Sequence, residues 1–410
     1  MNMAGKLHIP TAPYRPGDEP DFSAITLPKA GELARPDETV AADTTRDLSF
    51  SMIRVLDENH EAVGPWDPEL PAHALRDGLR HMSLTRLYDD RMLRMQRQGK
   101  MSFYLKCTGE EAVSVAQCMA LDDGDMLFPT YRQQALLITR GYPLLDMMCQ
   151  CLSNAGDKLQ GRQMPVMYSS DAHKFFSISG NLGTQFSQAV GWAMAAEYRK
   201  TGDIAAAWVG EGTSAEADFH YALTFSAVYR APVILNVVNN QWAISTYQNV
   251  AGGEQNPFAA RAIGYGIPGL RVDGNDFLAV FAATSWAARR ARAGGGPTLI
   301  ELYTYRAAAH STSDDPGRYR PLDEWEHWPL GDPIARLKQH LMARGEWSEV
   351  EHEQMQEELE ETVNKTWEEA LSLGTLNEGP RPPDSAMFEH VYKDMPPHLL
   401  EQRRQLEAIT

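Results

Sequence analysis

Two short apolar runs, 204–209 and 233–238, each lead into residues able to hold a divalent cation. The first runs into Gly210, Glu211 and Gly212; the second runs into Asn239 and Asn240. Magnesium takes about six oxygen ligands in near-octahedral geometry and usually keeps phosphate oxygens and water among them. Glu211 offers a carboxylate, Asn240 a side-chain carbonyl, and Trp242 a backbone carbonyl two residues further on. Gly210 and Gly212 allow close approach of backbone to a ligand. The alternative is a plain crossover whose glycines serve only a tight turn.

Three more groups of residues suit the same chemistry. Tyr131 and Arg132 follow a short apolar run at 126–128. An arginine at a strand end can fork onto phosphate oxygens, although a surface ion pair uses the same residue type. The stretch 177–185 is dense in hydroxyls, amides and glycines ahead of an apolar helix. It suits a monovalent cation or a cofactor wall, and equally a polar helix cap. His310 stands in a loop of small and polar residues beyond the run 298–304, where a proton donor near neutral pH would be useful. A lone loop histidine is also often incidental.

These residues need elements that bring them to one edge. The runs 204–209 and 233–238 read as buried strands, joined by a helix that Thr213 and Glu216 would open as a capping box. Its N-terminus would face phosphate. In open parallel sheets ligands sit at the carboxyl ends of strands. Further strands are expected at 126–128, 270–272 and 298–304. Helices are expected at 72–98, 109–120, 136–152, 186–198 and 277–292. From 333 the pattern is all helical, with 349–373 long, charged and exposed. Residues 1–47 are rich in Pro, Gly and charge and predict an extended arm, tied down on the body or on a partner and otherwise disordered. The expected division is an arm at 1–47, an α/β domain at 48–332 and a helical C-terminal region at 333–410.

Composition narrows the function class. A net charge of −17 argues against nucleic acid and against an anionic membrane surface. No apolar run has the length of a membrane span, and the first twenty residues lack a signal h-region. Cys107, Cys118, Cys149 and Cys151 have no zinc-ligand spacing and predict buried free thiols in a reducing cytoplasm.

Taken in order, PTYRQQ at 129–134, GRQMP at 161–165, NNQWAIS at 239–245, RVDGNDF at 271–277 and HSTSDDP at 310–316 resemble the 2-oxo acid dehydrogenase E1 alpha subunits of the branched-chain type. The resemblance covers roughly residues 45–400. It implies the thiamin diphosphate-binding fold, an α/β parallel sheet flanked by helices. It implies magnesium on Glu211, Asn240 and the backbone of Trp242. Tyr131, Arg132 and His310 then meet the diphosphate, and Gly180, Leu182, Gly210, Gly212 and Thr213 line the rest of the cofactor. Ser179, Asn181, Thr184 and Gln185 resemble a potassium site of some relatives. Glu211 replaces the usual Asp of the general motif, as in branched-chain members. Val238 stands where animal members carry an arginine. The chain shows no second motif for the pyrimidine half of the cofactor, which in this family meets a glutamate of the E1 beta subunit. The resemblance therefore implies an α2β2 assembly that decarboxylates branched-chain 2-oxo acids and acylates the lipoyl group of E2, with His310 helping to hold the cofactor and assist that transfer. A pyruvate or acetoin dehydrogenase alpha subunit and a non-catalytic binding subunit are the alternatives.

Overall fold

The computed structural model describes residues 7–409, so the first six residues of the expected arm lie outside the described residues. In chain order the elements are helices α1 (Arg46–Phe50), α2 (Ala72–Arg97) and α3 (Glu111–Met119), strand β1 (Met126–Phe128), and helices α4 (Gln134–Thr139), α5 (Leu144–Leu152) and α6 (Thr184–Arg199). Then come β2 (Ala205–Gly210), α7 (Ala217–Tyr229), β3 (Val233–Asn239), and a small antiparallel pair β4 (Trp242–Ala243) and β5 (Thr246–Tyr247). The chain continues through β6 (Gly269–Asp273), α8 (Phe277–Arg292), β7 (Thr298–Tyr303), α9 (Pro333–Ala343), α10 (Glu349–Ser372) and α11 (Pro397–Glu407).

Five strands form one parallel sheet in the order β1-β2-β3-β7-β6. Alternate side chains leave a strand on opposite faces, so a strand buried on both reads as a continuous apolar run. In β2, Ala206 and Trp208 join the core beneath α2, α3 and α8, whereas Ala205, Ala207 and Val209 join the core beneath α6 and α7. Because every strand is parallel, the loops after β1, β2, β3 and β7 all emerge at one edge.

Several local expectations are revised. Thr213 does not open a helix. Ser214 turns its N–H (3.1 Å) and its hydroxyl (2.5 Å) back to the Glu211 carbonyl, closing a short 3-10 turn over Gly212–Ala215. Glu216 is extended and α7 begins after it without a side-chain cap. The single helix expected at 136–152 is two, because Gly141 takes φ 75° and Pro143 restricts the residue before it. Helix α10 is not simply exposed: Met355, Leu359, Val363, Trp367 and Ala370 form a buried stripe. The all-helical pattern expected beyond 333 gives way at 373–396 to irregular chain carrying Gly374 at φ 104° and Gly379 at φ 84°. Residues of the expected arm lie on the chain's own body. Phe22 packs edge-on against Trp328 at 5.4 Å, and Trp286 and Arg290 donate to the carbonyls of Pro36 and Glu38.

The run RVDGNDF works as a fastener. Asp276 is buried; its Oδ1 caps α8 by accepting the N–H groups of Leu278 and Ala279, both at 3.1 Å. Its Oδ2 accepts those of Val55 and Leu56 at 2.8 and 2.7 Å, and Arg336 lies 3.5 Å away. Replacing Asp276 by Ala strands four N–H groups and leaves the buried Arg336 guanidinium with Asp273 as its remaining carboxylate, so Asp276→Ala is expected to cost about 3–5 kcal/mol in urea unfolding. A loss under about 1 kcal/mol would contradict this role.

Candidate active site

The loops leaving β1, β2, β3 and β7 enclose a cleft lined by Arg132, Glu211, Asn240, Trp242 and His310, with Glu110 from the start of α3. Glu211 is 1% exposed. Its Oε2 accepts the Asn240 N–H at 3.3 Å, and its Oε1 has no partner. Asn240 donates from Nδ2 to Glu110 Oε1 at 2.8 Å, and its Oδ1 accepts the Trp242 N–H at 3.3 Å. The Trp242 carbonyl accepts Arg306 Nη1 at 2.8 Å, which leaves one lone pair for another partner. Arg132, almost fully buried, donates to the carbonyls of Lys106 and of His310, the latter at 2.9 Å. Its Nε lies 3.7 Å from Glu110 Oε1. Tyr131 meets the His310 ring edge-on at 5.8 Å.

Buried carboxylates are costly unless paired or bonded to metal. Here two of them, Glu110 and Glu211, each keep one buried oxygen without a partner. A cation placed between them would relieve that cost. Among the described residues no group of three or more His, Cys, Asp or Glu side chains is disposed to hold a metal. A site of one carboxylate, one amide and one carbonyl suits a hard ion that completes its shell with phosphate and water, as magnesium does. The glycines fit too. A Cβ on Gly210 would meet open space at the cleft, so its absence leaves room; a Cβ on Gly212 would stand 2.5 Å from Ala243 Cβ.

Burial dominates the electrostatics. It pushes Glu211 up to about 7, against the pull of Arg306, Arg132 and the Asn240 N–H. It pushes Glu110 up to about 7 as well, with Arg132 and Asn240 opposing and Glu211 reinforcing. His310 is driven down to about 3 by burial and by the charges of Arg132 and Arg306. The cleft thus favours the neutral imidazole, where the sequence suggests a proton donor near neutrality. A guanidinium only donates, so with Arg132 Nη2 at 3.3 Å the Nδ1 of His310 is the acceptor and the proton sits on Nε2. The loop itself is held by Asp314, whose Oδ2 accepts the His310 N–H at 2.7 Å.

Leu182 and Thr213 line the cleft as expected; Gly180 sits on the exposed loop beside it and is not among the lining residues. The hydroxyls of the 177–185 stretch serve their own loop. Ser179 accepts the Asn181 N–H at 3.0 Å, and Thr184 donates to the Asn181 carbonyl at 2.9 Å. Gln185 is buried, donates to the Trp208 carbonyl at 2.8 Å, and keeps Oε1 without a partner. Sequence reasoning missed Glu110 and Arg306. Two adjacent acids after Gly109, at a helix start, were the one available signal for the first.

A cation at Glu211 must displace a proton held up to about 7. Magnesium affinity in the presence of thiamin diphosphate is expected to fall about tenfold per pH unit below 7 and to level off above it. Titrations at pH 6, 7 and 8 check this, and a flat affinity across that range would contradict it.

Comparison with known proteins identifies the family. The family described as Dehydrogenase E1 component matches residues 79–377, and 2-oxoisovalerate dehydrogenase E1 alpha subunit N terminal matches residues 4–43. The second match extends the likeness into the arm, beyond the span read from the motifs. The 2-oxoisovalerate dehydrogenase subunit alpha of Pseudomonas aeruginosa is 58% identical over 401 residues, 98% of either chain. The mitochondrial 2-oxoisovalerate dehydrogenase subunit alpha of Homo sapiens is 39% identical over 86% of this chain and 78% of its own. The pyruvate dehydrogenase E1 component subunit alpha of Acholeplasma laidlawii is 35% identical over 86% of this chain and 100% of its own. The chain therefore belongs to the family of dehydrogenase E1 components, as an alpha subunit of the 2-oxoisovalerate type.

Proposed function

We propose that this chain supplies the diphosphate-and-metal half of a thiamin diphosphate-dependent dehydrogenase of branched-chain 2-oxo acids. The observation that carries the reading is a buried carboxylate with a free oxygen, Glu211, facing one cleft with Asn240, Arg132 and His310. When bound, thiamin diphosphate supplies the electron sink that lets a 2-oxo acid lose CO2. Glu211, Asn240 and the Trp242 carbonyl hold magnesium. Arg132 and Tyr131 bind diphosphate oxygens, and His310 offers them the proton on Nε2. Leu182, Gly210, Gly212 and Thr213 give the cofactor its wall, and Gly180 meets it from the exposed loop beside the cleft. Ser179, Asn181, Thr184 and Gln185 hold a potassium ion; the unpartnered Oε1 of Gln185 supports that assignment.

A beta subunit completes the site in an α2β2 assembly, and the acyl group passes to a lipoyl group on E2. Two features support the partner. The carboxylates lining the cleft, Glu110 and Glu211, both bond Asn240 at its metal end, leaving the other end of the cofactor to be met from elsewhere. Helix α7 also carries Tyr221, Phe225, Val228 and Tyr229 at helical spacing, each more than half exposed. An apolar stripe of that size needs a cover. The proposed division of the chain is an arm at 1–47, the cofactor domain at 48–332 and a helical C-terminal region at 333–410. A reducing compartment, the cytoplasm, agrees with four free, buried cysteines. Among the described residues no helix is long and apolar enough to cross a membrane.

Steady-state kinetics with pyruvate and the three branched 2-oxo acids test the substrate class. At least one branched acid is expected to exceed pyruvate by tenfold or more in kcat/KM, since each methylene accommodated in a pocket is worth about 1–3 kcal/mol. Pyruvate as the better substrate would instead mark a pyruvate-type subunit, and an assembly that binds no thiamin diphosphate would mark a binding subunit. Replacing His310 by Ala is expected to slow transfer to lipoate by about a hundredfold and decarboxylation by less than about tenfold. Equal losses would remove the histidine from the transfer step.

A further inference from the structure

We infer that Glu110 is a positioning residue of the metal site: its Oε1 holds the nitrogen of the Asn240 side-chain amide and so leaves the amide oxygen for the cation. The inference rests on the reading above that Asn240 is a magnesium ligand.

An asparagine amide has two ends of similar shape and opposite hydrogen-bonding character, and only the oxygen can ligate a metal. Something must hold it from flipping. Within the cleft Asn240 Nδ2 meets one acceptor, Glu110 Oε1, at 2.8 Å. On the oxygen side the Trp242 N–H at 3.3 Å is a long contact and a weak restraint. An oxygen that carries no proton accepts and cannot donate, so Glu110 Oε1, placed 2.8 Å from Nδ2, selects the nitrogen end.

Glu110 is itself placed with care. It stands at the N-cap of α3, where an acidic side chain ordinarily accepts helix N–H groups, yet it makes no such bond. The side chain turns into the cleft instead, 2% exposed. Its backbone N–H is tied to the Cys107 carbonyl at 2.8 Å. Gly109 before it has φ 95°, and a Cβ there would lie 2.3 Å from the Tyr305 carbonyl. The neighbouring Glu111 has a different duty, accepting the Gly109 N–H at 2.9 Å and pairing with Arg86 at 2.7 Å. Of two adjacent buried acids, one builds the turn and the other faces the site. Partners of this kind, one bond removed from the metal, typically change affinity 10–100-fold when lost.

The test uses the full-length chain assembled with its beta subunit and measures Mg2+ and Ca2+ affinity at saturating thiamin diphosphate by fluorescence titration. Magnesium demands near-ideal octahedral geometry, whereas calcium tolerates irregular shells. Glu110→Leu, which removes the acceptor, is expected to weaken Mg2+ binding by about tenfold or more and Ca2+ binding by less than about threefold. Glu110→Gln keeps an acceptor but adds a donor able to hold the other end of the amide, so it is expected to weaken Mg2+ binding by less than Glu110→Leu does. If Glu110→Leu does not assemble, Glu110→Ala removes the same acceptor with less bulk and is held to the same criteria. Unchanged Mg2+ affinity, equal losses for the two ions, or a Gln variant as impaired as the Leu variant would each overturn the inference while leaving the proposed function standing. An unsubstituted assembly that binds no Mg2+ with thiamin diphosphate would overturn both.

Discussion

A buried carboxylate with one oxygen left unpaired is the constraint around which this molecule is arranged. Glu211 sits where β2 ends, out of contact with water, and its charged form is opposed by burial. Such a group is stable only beside compensating charge. Arg132 and Arg306 supply part of it, and a divalent cation would supply the rest. The same field keeps His310 neutral and fixes its proton on the outer nitrogen. Geometry and protonation in the cleft are therefore one problem: the Arg132 guanidinium, proposed to receive phosphate, is one of the two that discharge the imidazole.

The scaffold makes this convergence possible. Parallel strands bring four loops from distant parts of the chain to one edge, and helices on both faces bury the strands that carry them. Asp276 anchors the first turn of α8 to residues 55 and 56, so the sheet end nearest β6 is fastened from outside the sheet. Arg306 grips the Trp242 and Ile244 carbonyls together, at 2.8 and 2.9 Å, and holds the small hairpin after β3 against the β7 loop.

Much of this was legible because it is local. The strands at Ala205–Gly210, Val233–Asn239 and Thr298–Tyr303 are mostly apolar, with Asn236 and Glu301 inside the last two, and the proposed ligands Glu211 and Asn240 directly follow the first two. What failed has two kinds of cause, contacts between distant positions and competing local bonds. The stripe Met355, Leu359, Val363, Trp367 and Ala370 is diluted by the acids between its members, and only its burial identifies it. Thr213 has the residue types of a capping box, but Ser214 two bonds to Glu211 closed a tighter turn first. The break at Gly141 and Pro143 was readable and was overridden by the periodicity on either side. Glu110 could not be recognised from its own neighbourhood, since its meaning comes from Asn240 and Arg132, far along the chain.

The most direct measurement is anomalous diffraction from Mn2+ substituted for Mg2+, in crystals of the assembled protein with thiamin diphosphate. The account predicts a single peak in the cleft within coordination distance of Glu211 Oε1, Asn240 Oδ1 and the Trp242 carbonyl. A peak elsewhere, with the Glu211 and Asn240 side chains turned away from the diphosphate, would contradict it.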